Sequence, residues 1–251
     1  MKKTILSAEN VSKSFGKNGA QILKKVNADI YDGDFTVIMG TSGAGKSTLL
    51  YALSGMDGIT DGRVIFDGKE ISGLTEKMMA GLRSEQFGFV FQQTHLVSNL
   101  TLFENIAVAG SAVRSGDKRS VRERAIELMR IMNVEKVKDH LPSRVSGGEA
   151  QRAAIARAII NSPRLIFADE PTGALNKSNS EEVMRLLTEL NRNGQSIIMV
   201  THDVHAAIRG NRILYLEDGK ILDELNLPPY ADSDAREREQ RISQWLSEQR
   251  W

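Results

Sequence analysis

Short apolar runs separated by turn residues fill the first seventy positions of the chain, and this pattern is typical of β-strands. Strands are predicted over residues 5–11, 28–30, 35–39 and 63–66. Acidic residues followed by glycine lie between these runs and predict turns, at Asp32-Gly33, Asp61-Gly62 and Asp67-Gly68. We therefore expect the chain to begin with several short strands joined by tight turns.

Helical periodicity begins at Lys46, continues to about Ser54, and returns across a longer middle region, residues 74–160. An amphipathic helix is predicted over 120–132, where apolar side chains recur at helical spacing. Apolar strands are predicted at 87–91, 165–168 and 197–200, and a helix at 180–191. This β-α-β alternation favours an α/β fold with a largely parallel sheet that is interrupted by a helical insertion.

Composition narrows the class of protein. The 251 residues are 41% hydrophobic and 26% charged, with a net charge of +1 and no cysteine. This balance is typical of a globular protein, gives no field that favours nucleic acid, and excludes disulfides and thiolate metal sites. The N-terminus resembles no signal peptide, and no apolar run reaches the roughly 18–20 residues of a membrane-spanning helix. If the protein works at a membrane, we expect a partner to cross it.

One glycine-rich motif directly follows a predicted strand and directly precedes a predicted helix. It fits the pattern G-x-x-x-x-G-K-[ST] at every fixed position, and we extend the candidate site by one residue, so that it comprises Gly40, Thr41, Ser42, Gly43, Ala44, Gly45, Lys46, Ser47 and Thr48. Glycines let backbone N–H groups turn toward phosphate oxygens, and the helix N-terminus favours an anion. We expect Lys46 to reach the β and γ phosphates of ATP and Ser47 to bind Mg²⁺.

A second strand, residues 165–168, ends in two acidic residues. Asp169 is expected to hold Mg²⁺, through water, and Glu170 to polarise the attacking water. Two acids at a strand end would otherwise simply cap the following helix. The phosphate-binding motif favours the catalytic interpretation, because a phosphate loop needs a carboxylate on the metal side.

The segment Val145-Ser146-Gly147-Gly148-Glu149-Ala150-Gln151-Arg152 closely resembles the signature sequence of ABC ATPases and opens a predicted helix. Phosphate loop, signature and acidic pair follow the order and spacing of that family over roughly residues 4–225. The resemblance implies a phosphate-loop NTPase core with a largely parallel sheet, an N-terminal antiparallel β part and a helical subdomain that carries the signature. It places the ATPase domain at 1–227, its helical subdomain at about 93–160, and a tail at 228–251.

The same resemblance implies roles for further residues. Gln92 is similar to the glutamine that touches Mg²⁺ and water, His202 to the histidine that contacts the γ-phosphate, and Phe15 to the aromatic residue stacked on adenine. The signature residues Ser146, Gly147, Gly148 and Glu149 are expected to bind the nucleotide held by a second copy. Two chains would thus form a dimer that encloses two ATP molecules, and hydrolysis would release the dimer.

Three positions depart from the family pattern. Val145 replaces leucine, Glu149 replaces glutamine, and Asn176 stands where the family usually has aspartate. The loss of charge at Asn176 bears on the coupling between the two ATP sites. Glu170 is present, and hydrolysis is therefore expected.

Within the family, the segments around Gln92 and Glu170 resemble the macrolide-exporter, lipoprotein-release and bacitracin-resistance branch. The resemblance implies a bacterial motor at the cytoplasmic face of the cell membrane, bound to an integral membrane permease and serving peptide, antibiotic or lipoprotein export or antimicrobial-peptide resistance. Residues 72–84 and 94–109 are expected either to receive the partner's coupling helices or to be ordinary core.

Two further points stay open from the sequence. An ATPase that regulates a membrane-bound cell-wall or division system would look nearly the same, whereas DNA-repair, chromosome and translation members carry insertions or a second module that are absent here. The tail could form an amphipathic helix with Ile242, Trp245 and Leu246 on one face, or remain disordered; Trp245 and Trp251 would cover the domain or contact the partner.

Overall fold

The computed structural model describes residues 2–16, 19–113 and 118–249. Its strands are β1 (Thr4–Ser14), β2 (Gln21–Tyr31), β3 (Phe35–Met39), β4 (Asp61–Phe66), β5 (Lys69–Glu70), β6 (Phe87–Phe91), β7 (Leu165–Asp169), β8 (Ser196–Val200), β9 (Arg212–Glu217) and β10 (Lys220–Asn226). Its α-helices are α1 (Lys46–Leu53), α2 (Glu76–Gln86), α3 (Leu102–Val113), α4 (Lys118–Ile131), α5 (Gly147–Ile159), α6 (Lys177–Arg192), α7 (Val204–Ala207) and α8 (Ala235–Glu248).

The chain divides into two compact units. Unit 1 comprises the residues up to Met79 together with those from Leu190 onward, and unit 2 comprises Ala80–Glu189. The predicted α/β fold, with its antiparallel β part and its helical region, is confirmed. The boundaries predicted for an ATPase domain, a helical subdomain and a tail follow a different division and stay a prediction.

Unit 1 contains an antiparallel sheet in the order β2-β1-β4-β5. Strand β2 is far longer than the predicted residues 28–30, because its buried residues alternate irregularly with exposed ones and hide the strand signal. The prediction of a turn at Asp61-Gly62 is wrong, since both residues open β4. Gly62 has a φ of 91° and lies so close to the Asn10 backbone that an added Cβ would come within 2.4 Å of its carbonyl oxygen.

Unit 1 also contributes strands to a second sheet, in the order β10-β9-β3-β8. Strand β3 is parallel to both β8 and β9, and β10 is antiparallel to β9. Every residue of β3 and β8 is buried, which explains why these strands read as continuous apolar runs. The β9–β10 hairpin was not predicted, although Asp218-Gly219 at its turn has the positive φ angles, 46° and 75°, that two-residue hairpin turns require.

Helix α8 packs on unit 1 through one apolar face and one buried cation. Ile242 and Leu246 are buried, and the Trp245 indole donates a hydrogen bond of 2.8 Å to Asp223. Arg238 is 3% exposed; its guanidinium donates to the backbone carbonyls of Ile208 (2.7 Å), Pro228 (2.8 Å) and Gly210. Residues 235–248 are therefore a docked helix; Trp251 lies outside the described residues.

Unit 2 contains the parallel strand pair β6–β7 and a set of packed helices. The register joins Phe87 to Leu165 at one end and Phe91 to Asp169 at the other. Helix α5 lies so close to β6 that a Cβ on Gly88 would meet the Ala158 carbonyl oxygen at 2.6 Å. Within the described part of the chain, no helix combines the length and apolar character needed to cross a membrane.

Candidate functional site

The glycine-rich motif forms the connection between β3 and α1 in unit 1. Gly40 must lack a side chain, because a Cβ there would lie 2.0 Å from the Leu216 carbonyl oxygen. Gly43 and Gly45 have φ angles of 80° and 100°, which glycine adopts without the cost that other residues incur. Gly45 is the N-cap of α1. The loop is thus a tight turn delivered by a buried strand to a helix N-terminus, as the sequence predicted.

The polar groups of this loop lie at or near the surface. Thr41, Ser42 and Gly43 are exposed, and Ser47 belongs to the first turn of α1. The Lys46 ammonium donates to the backbone carbonyls of Gly40 (2.7 Å) and of Thr41 (2.9 Å), so it lies over the opening of the loop. A cation and a helix N-terminus at one glycine-rich turn form an arrangement suited to a polyphosphate.

His202 leaves the sheet beside this loop. Strands β3 and β8 are parallel with Ile38 opposite Val200, and the Thr201 amide donates to the Ile38 carbonyl over 3.3 Å. The carboxyl ends of both strands therefore lie at the same edge of the sheet, the usual place for ligands in α/β proteins. His202 is exposed there and directly precedes Asp203, which caps α7 by accepting a hydrogen bond from the His205 amide.

Phe15 is 53% exposed at the end of the first strand of unit 1. The Lys13 ammonium lies 4.8 Å from the centre of its ring and is held by Asp57 at 2.7 Å and by the Gly58 carbonyl at 2.6 Å. Lys13 thus fixes one side of an exposed aromatic ring, a surface on which a base could stack.

Gln92 and Glu170 lie side by side in unit 2. Because Phe91 pairs with Asp169 in the parallel β6–β7 register, the next residue of each strand emerges at the same edge. Asp169 is 9% exposed, whereas Gln92 is exposed and Glu170 half-buried. Glu170 has a φ of 48°, a left-handed conformation that is costly for a residue with a side chain and is found often at functional sites.

Gly173 restricts the Gln92 side chain, a contact that the sequence analysis missed. The Gly173 amide donates to the Glu170 carbonyl over 3.0 Å, which closes a turn after the acidic pair. A Cβ on Gly173 would lie 2.9 Å from the Gln92 side-chain nitrogen. The turn that follows Glu170 therefore packs directly against the Gln92 amide, and a side chain at position 173 would displace that amide.

The signature segment opens α5 with a capping box. Ser146 is the N-cap; its hydroxyl accepts from the Glu149 amide, and the Glu149 carboxylate accepts from the Ser146 amide (2.8 Å) and hydroxyl (2.7 Å). These hydrogen bonds from Ser146 lower the pKa of Glu149. Glutamate can replace the usual glutamine at this position because a capping box accepts either residue. Ser146 and Gly147 remain exposed.

Asn179, which the sequence analysis did not identify, packs against the second signature glycine. A Cβ on Gly148 would lie 2.1 Å from the Asn179 side-chain oxygen. The backbone N–H of Asn179 donates to the side-chain oxygen of Asn176 over 3.0 Å, so Asn176 caps the start of α6. Asparagine and aspartate cap helices about equally well. The departure at Asn176 therefore retains the local structure and changes only the charge.

Each unit thus assembles its own part of the predicted site. Unit 1 brings the phosphate loop and His202 to one edge of a sheet and presents Phe15 as an exposed ring. Unit 2 brings Gln92, Asp169 and Glu170 to the ends of two paired strands, and places the signature at the N-terminus of α5.

Comparisons with known proteins place the chain in a family. Residues 23–173 match the family model described as ABC transporter. The chain is 42% identical over 217 residues to the macrolide export ATP-binding/permease protein MacB of Chlorobaculum tepidum, covering 86% of this chain and 33% of that protein. For MacB of Wolinella succinogenes the identity is 42% over 227 residues, with 88% and 34% covered. The chain spans about a third of the length of these relatives.

Solved structures that are similar to this chain belong to the same family. A dimeric post-hydrolysis structure of the ATP-binding cassette MJ0796, bound to ADP and Pi, is 38% identical with a TM-score of 0.83, covering 90% of this chain and all of that one. The structure of cbiO1 from Clostridium perfringens, part of the transporter complex cbiONQ, is 28% identical with a TM-score of 0.80 and 89% of each chain covered. The chain belongs to the ABC transporter family and is an ATP-binding cassette of that family.

Proposed function

We propose that this cassette hydrolyses ATP as the motor of an ABC transporter, with the residues predicted from the sequence in the roles the family assigns them. The observation that carries the proposal is the phosphate loop, a glycine turn from a buried strand to the N-terminus of α1 with the Lys46 ammonium over its opening. Residues 40–48 would bind the phosphates of ATP through backbone N–H groups, Lys46 and the first turn of α1. Phe15 would stack on the adenine, on the ring surface left exposed.

Mg²⁺ would be held by Ser47, Gln92 and Asp169. These side chains offer a hydroxyl, an amide oxygen and a carboxylate, which are the oxygen ligands that Mg²⁺ prefers. No group of three or more His, Cys, Asp or Glu side chains in the described residues could hold a metal ion. Mg²⁺ usually keeps several waters and binds one or two carboxylates together with substrate phosphates. The ion would neutralise the charge of the phosphates during transfer.

Glu170 would accept a proton from the attacking water. The water oxygen forms a bond to the γ-phosphorus, the bond from that phosphorus to the bridging oxygen of ADP breaks, and ADP and phosphate are released. Gln92 would orient the water, since the Gly173 turn limits where its side chain can lie. His202 would contact the γ-phosphate from its exposed position after β8.

A second copy of the cassette would complete each nucleotide site. The exposed N-terminus of α5, with Ser146, Gly147 and Gly148 in front of Glu149, would close over the γ-phosphate bound to the other copy. The cassette MJ0796, bound to ADP and Pi, is dimeric in its solved structure, which supports this arrangement. We therefore propose a homodimer that encloses two ATP molecules.

The partner we propose is an integral membrane permease, with the cassette at the cytoplasmic face of the membrane. The macrolide export relatives are named for both an ATP-binding and a permease function, and this chain corresponds to about a third of their length. In unit 2 the side chains of Val97 and Val108 are 51% and 59% exposed and offer apolar surface to such a partner, whereas Leu102 is buried core. Antibiotic, peptide or lipoprotein export is the proposed task.

The test is the Glu170→Gln variant, with Glu181→Gln as its control because Glu181 is an exposed carboxylate of the same unit. Loss of the base should lower kcat for ATP hydrolysis by about 100-fold or more, while ATP binding persists and a dimer accumulates on a sizing column. Glu181→Gln should leave both unchanged. Turnover at the wild-type rate in Glu170→Gln would refute the assignment of the base.

The proposed partner needs a separate experiment, affinity purification of the tagged chain from gently solubilised host membranes. Recovery of an integral membrane protein with a large extracytoplasmic domain would support the transporter. Recovery of only soluble or DNA-bound proteins would contradict it.

A further inference from the structure

Gln151 is a buried polar residue to which neither the sequence analysis nor the proposed reaction assigns a role. It lies on α5, five positions after Ser146, and is 1% exposed. Its side-chain nitrogen donates two hydrogen bonds, to the carbonyl oxygens of Phe91 (2.9 Å) and of Pro171 (2.8 Å). A primary amide nitrogen carries two N–H groups, so both of its donors are used.

The two acceptors are next to the residues proposed for catalysis. Phe91 directly precedes Gln92, and Pro171 directly follows Glu170. Gln151 itself belongs to the helix whose first turn is the signature. One buried side chain therefore joins α5 to two other segments, whose acceptors Phe91 and Pro171 lie 60 and 20 residues from Gln151 in sequence.

A second side chain of α5 holds the other side of Gln92. Arg157 lies less than two turns after Gln151 on the helix. Its guanidinium donates to the carbonyl oxygens of His95 (2.7 Å) and of Thr94 (2.8 Å). The backbone around Gln92 is therefore fastened to the signature helix both before and after that residue. Gly173 also packs against the Gln92 side chain. The position of Gln92 is therefore restricted by Gln151, by Arg157 and by Gly173.

We propose that Gln151 is a positioning residue of the ATPase reaction. Its amide holds the backbone before Gln92 and the backbone after Glu170 at a fixed distance from the signature helix. The segments that carry Gln92, Glu170 and the signature therefore shift together. This inference rests on the proposed function for its kinetic consequence, whereas its structural part concerns unit 2 alone. A displacement of the signature helix, when ATP of the other copy binds there, would be passed to Gln92 and Glu170 through these two hydrogen bonds.

The chemistry of the site requires an amide. Glutamate has the same length, but an ionised carboxylate donates no hydrogen bond and would face two carbonyl oxygens. Methionine has a similar length and no charge, but it would leave both carbonyls without a donor. Gln151→Met removes both hydrogen bonds and Gln151→Glu removes at least one, since even a protonated carboxyl group has a single donor, so a defect that they share is due to the lost bonds.

Asn161 provides a matched control in the same unit. Its side-chain amide also donates to two carbonyl oxygens of separate segments, Ser84 and Ala109, both over 3.0 Å, but neither acceptor adjoins a motif residue. Asn161→Asp should remove this pair of part-buried hydrogen bonds in a similar way. The comparison separates general destabilisation of unit 2 from a specific effect on the residues that act on ATP.

The experiment compares the Gln151 variants with Asn161→Asp in the full chain. We expect kcat for ATP hydrolysis, corrected for folded fraction, to fall about tenfold or more below that of Asn161→Asp, with KM changed less than about threefold. Hydrogen exchange should speed up at the backbone amides of residues 89–95 and 169–175 only in the Gln151 variants. The exchange readout is independent of turnover.

The outcomes are distinct. If the wild-type chain hydrolyses no ATP, the proposed function fails, and the exchange data still decide whether Gln151 holds the two segments. If the wild type is active but the Gln151 variants match Asn161→Asp in kcat, the positioning role is refuted. Equal exchange rates in the two sets of variants would likewise overturn it.

Discussion

Both units place site residues at the ends of parallel strands, but they hold those residues in place differently. In unit 1 the phosphate loop and His202 follow the carboxyl ends of the parallel strands β3 and β8; in unit 2 Gln92 and Glu170 follow the carboxyl ends of the parallel strands β6 and β7. Both use the rule that polar residues gather at the carboxyl ends of parallel strands. They differ in what then holds those residues in place.

Unit 1 depends mainly on backbone geometry. Gly43 and Gly45 have positive φ angles and Gly40 approaches a neighbouring carbonyl, so the loop is shaped by residues that lack side chains. Unit 2 depends on side-chain amides that reach across the chain: Gln151 to two carbonyls, Asn179 against Gly148, and Gln92 against Gly173. Binding of phosphate therefore needs a short local motif, whereas the catalytic residues need long-range packing. The comparison predicts that changes in unit 1 alter nucleotide affinity and changes in unit 2 alter turnover.

The largest effect on stability is expected in unit 1, from Arg238→Ala. Removing the guanidinium leaves the buried carbonyls of Ile208 and Gly210, and the part-buried carbonyl of Pro228, without this donor. The free energy of unfolding should fall by about 3 kcal/mol or more, as denaturant unfolding would measure. Arg241→Ala, on the exposed side of the same helix, should change it by less than about 0.5 kcal/mol. Equal effects would mean that α8 is not anchored by Arg238.

Next in size is the loss of ATP affinity in Lys46→Ala. Without the ammonium over the loop, the Kd for ATP should rise about 100-fold, which corresponds to about 2.7 kcal/mol, because its attraction for the phosphates is lost. Nucleotide titration against Lys69→Ala, an exposed lysine of the same unit, provides the control. Unchanged affinity in Lys46→Ala would contradict the assignment of phosphate binding to unit 1.

A turnover defect without a binding defect is expected for Gly173→Ala in unit 2. The added Cβ would lie 2.9 Å from the Gln92 side-chain nitrogen and displace that amide. We expect kcat to fall about tenfold with the Kd for ATP nearly unchanged. Gly81→Ala is the matched control, since a Cβ there meets nothing within 4 Å. A fall in affinity with kcat preserved would reverse the proposed division between the units.

The smallest effect is expected for Glu149→Gln. The pKa of Glu149 is lowered by its hydrogen bonds from Ser146, so its ionised form stabilises the fold above the ordinary pKa of 4.5. That contribution is lost as the pH falls through the lowered folded pKa. Glutamine keeps the capping box but does not titrate, so the melting temperature at pH 7 should change little, and its decline below about pH 4.5 should become shallower. Melting curves from pH 3 to 7 would check this; an unchanged acid slope would contradict it.

The local motifs were readable because their chemistry lies in consecutive residues. The phosphate loop, the acidic pair and the signature each occupy one short segment, and the structure places each at the strand end or helix start that the sequence predicted. The prediction failed where hydrophobic periodicity was weak. Most of β2 was missed, and so was β10, which alternates half-buried and exposed residues. Strand β9 was also missed, although residues 212–216 are all buried.

What the sequence by itself determined is the fold class, the family and the chemical type of the residues proposed to act on ATP, since these follow from local spacing and residue type. Only the tertiary structure decided which distant residues hold them: Gln151 and Gly173 acquire their roles by meeting Phe91, Pro171 and Gln92, which lie 20 to 81 positions away. A hydrogen bond between such segments leaves no periodic trace in the chain, because it depends on the packing of α5 against β6 and on the turn after β7. The docked position of α8 was decided in the same way, by three backbone carbonyls that converge on one arginine.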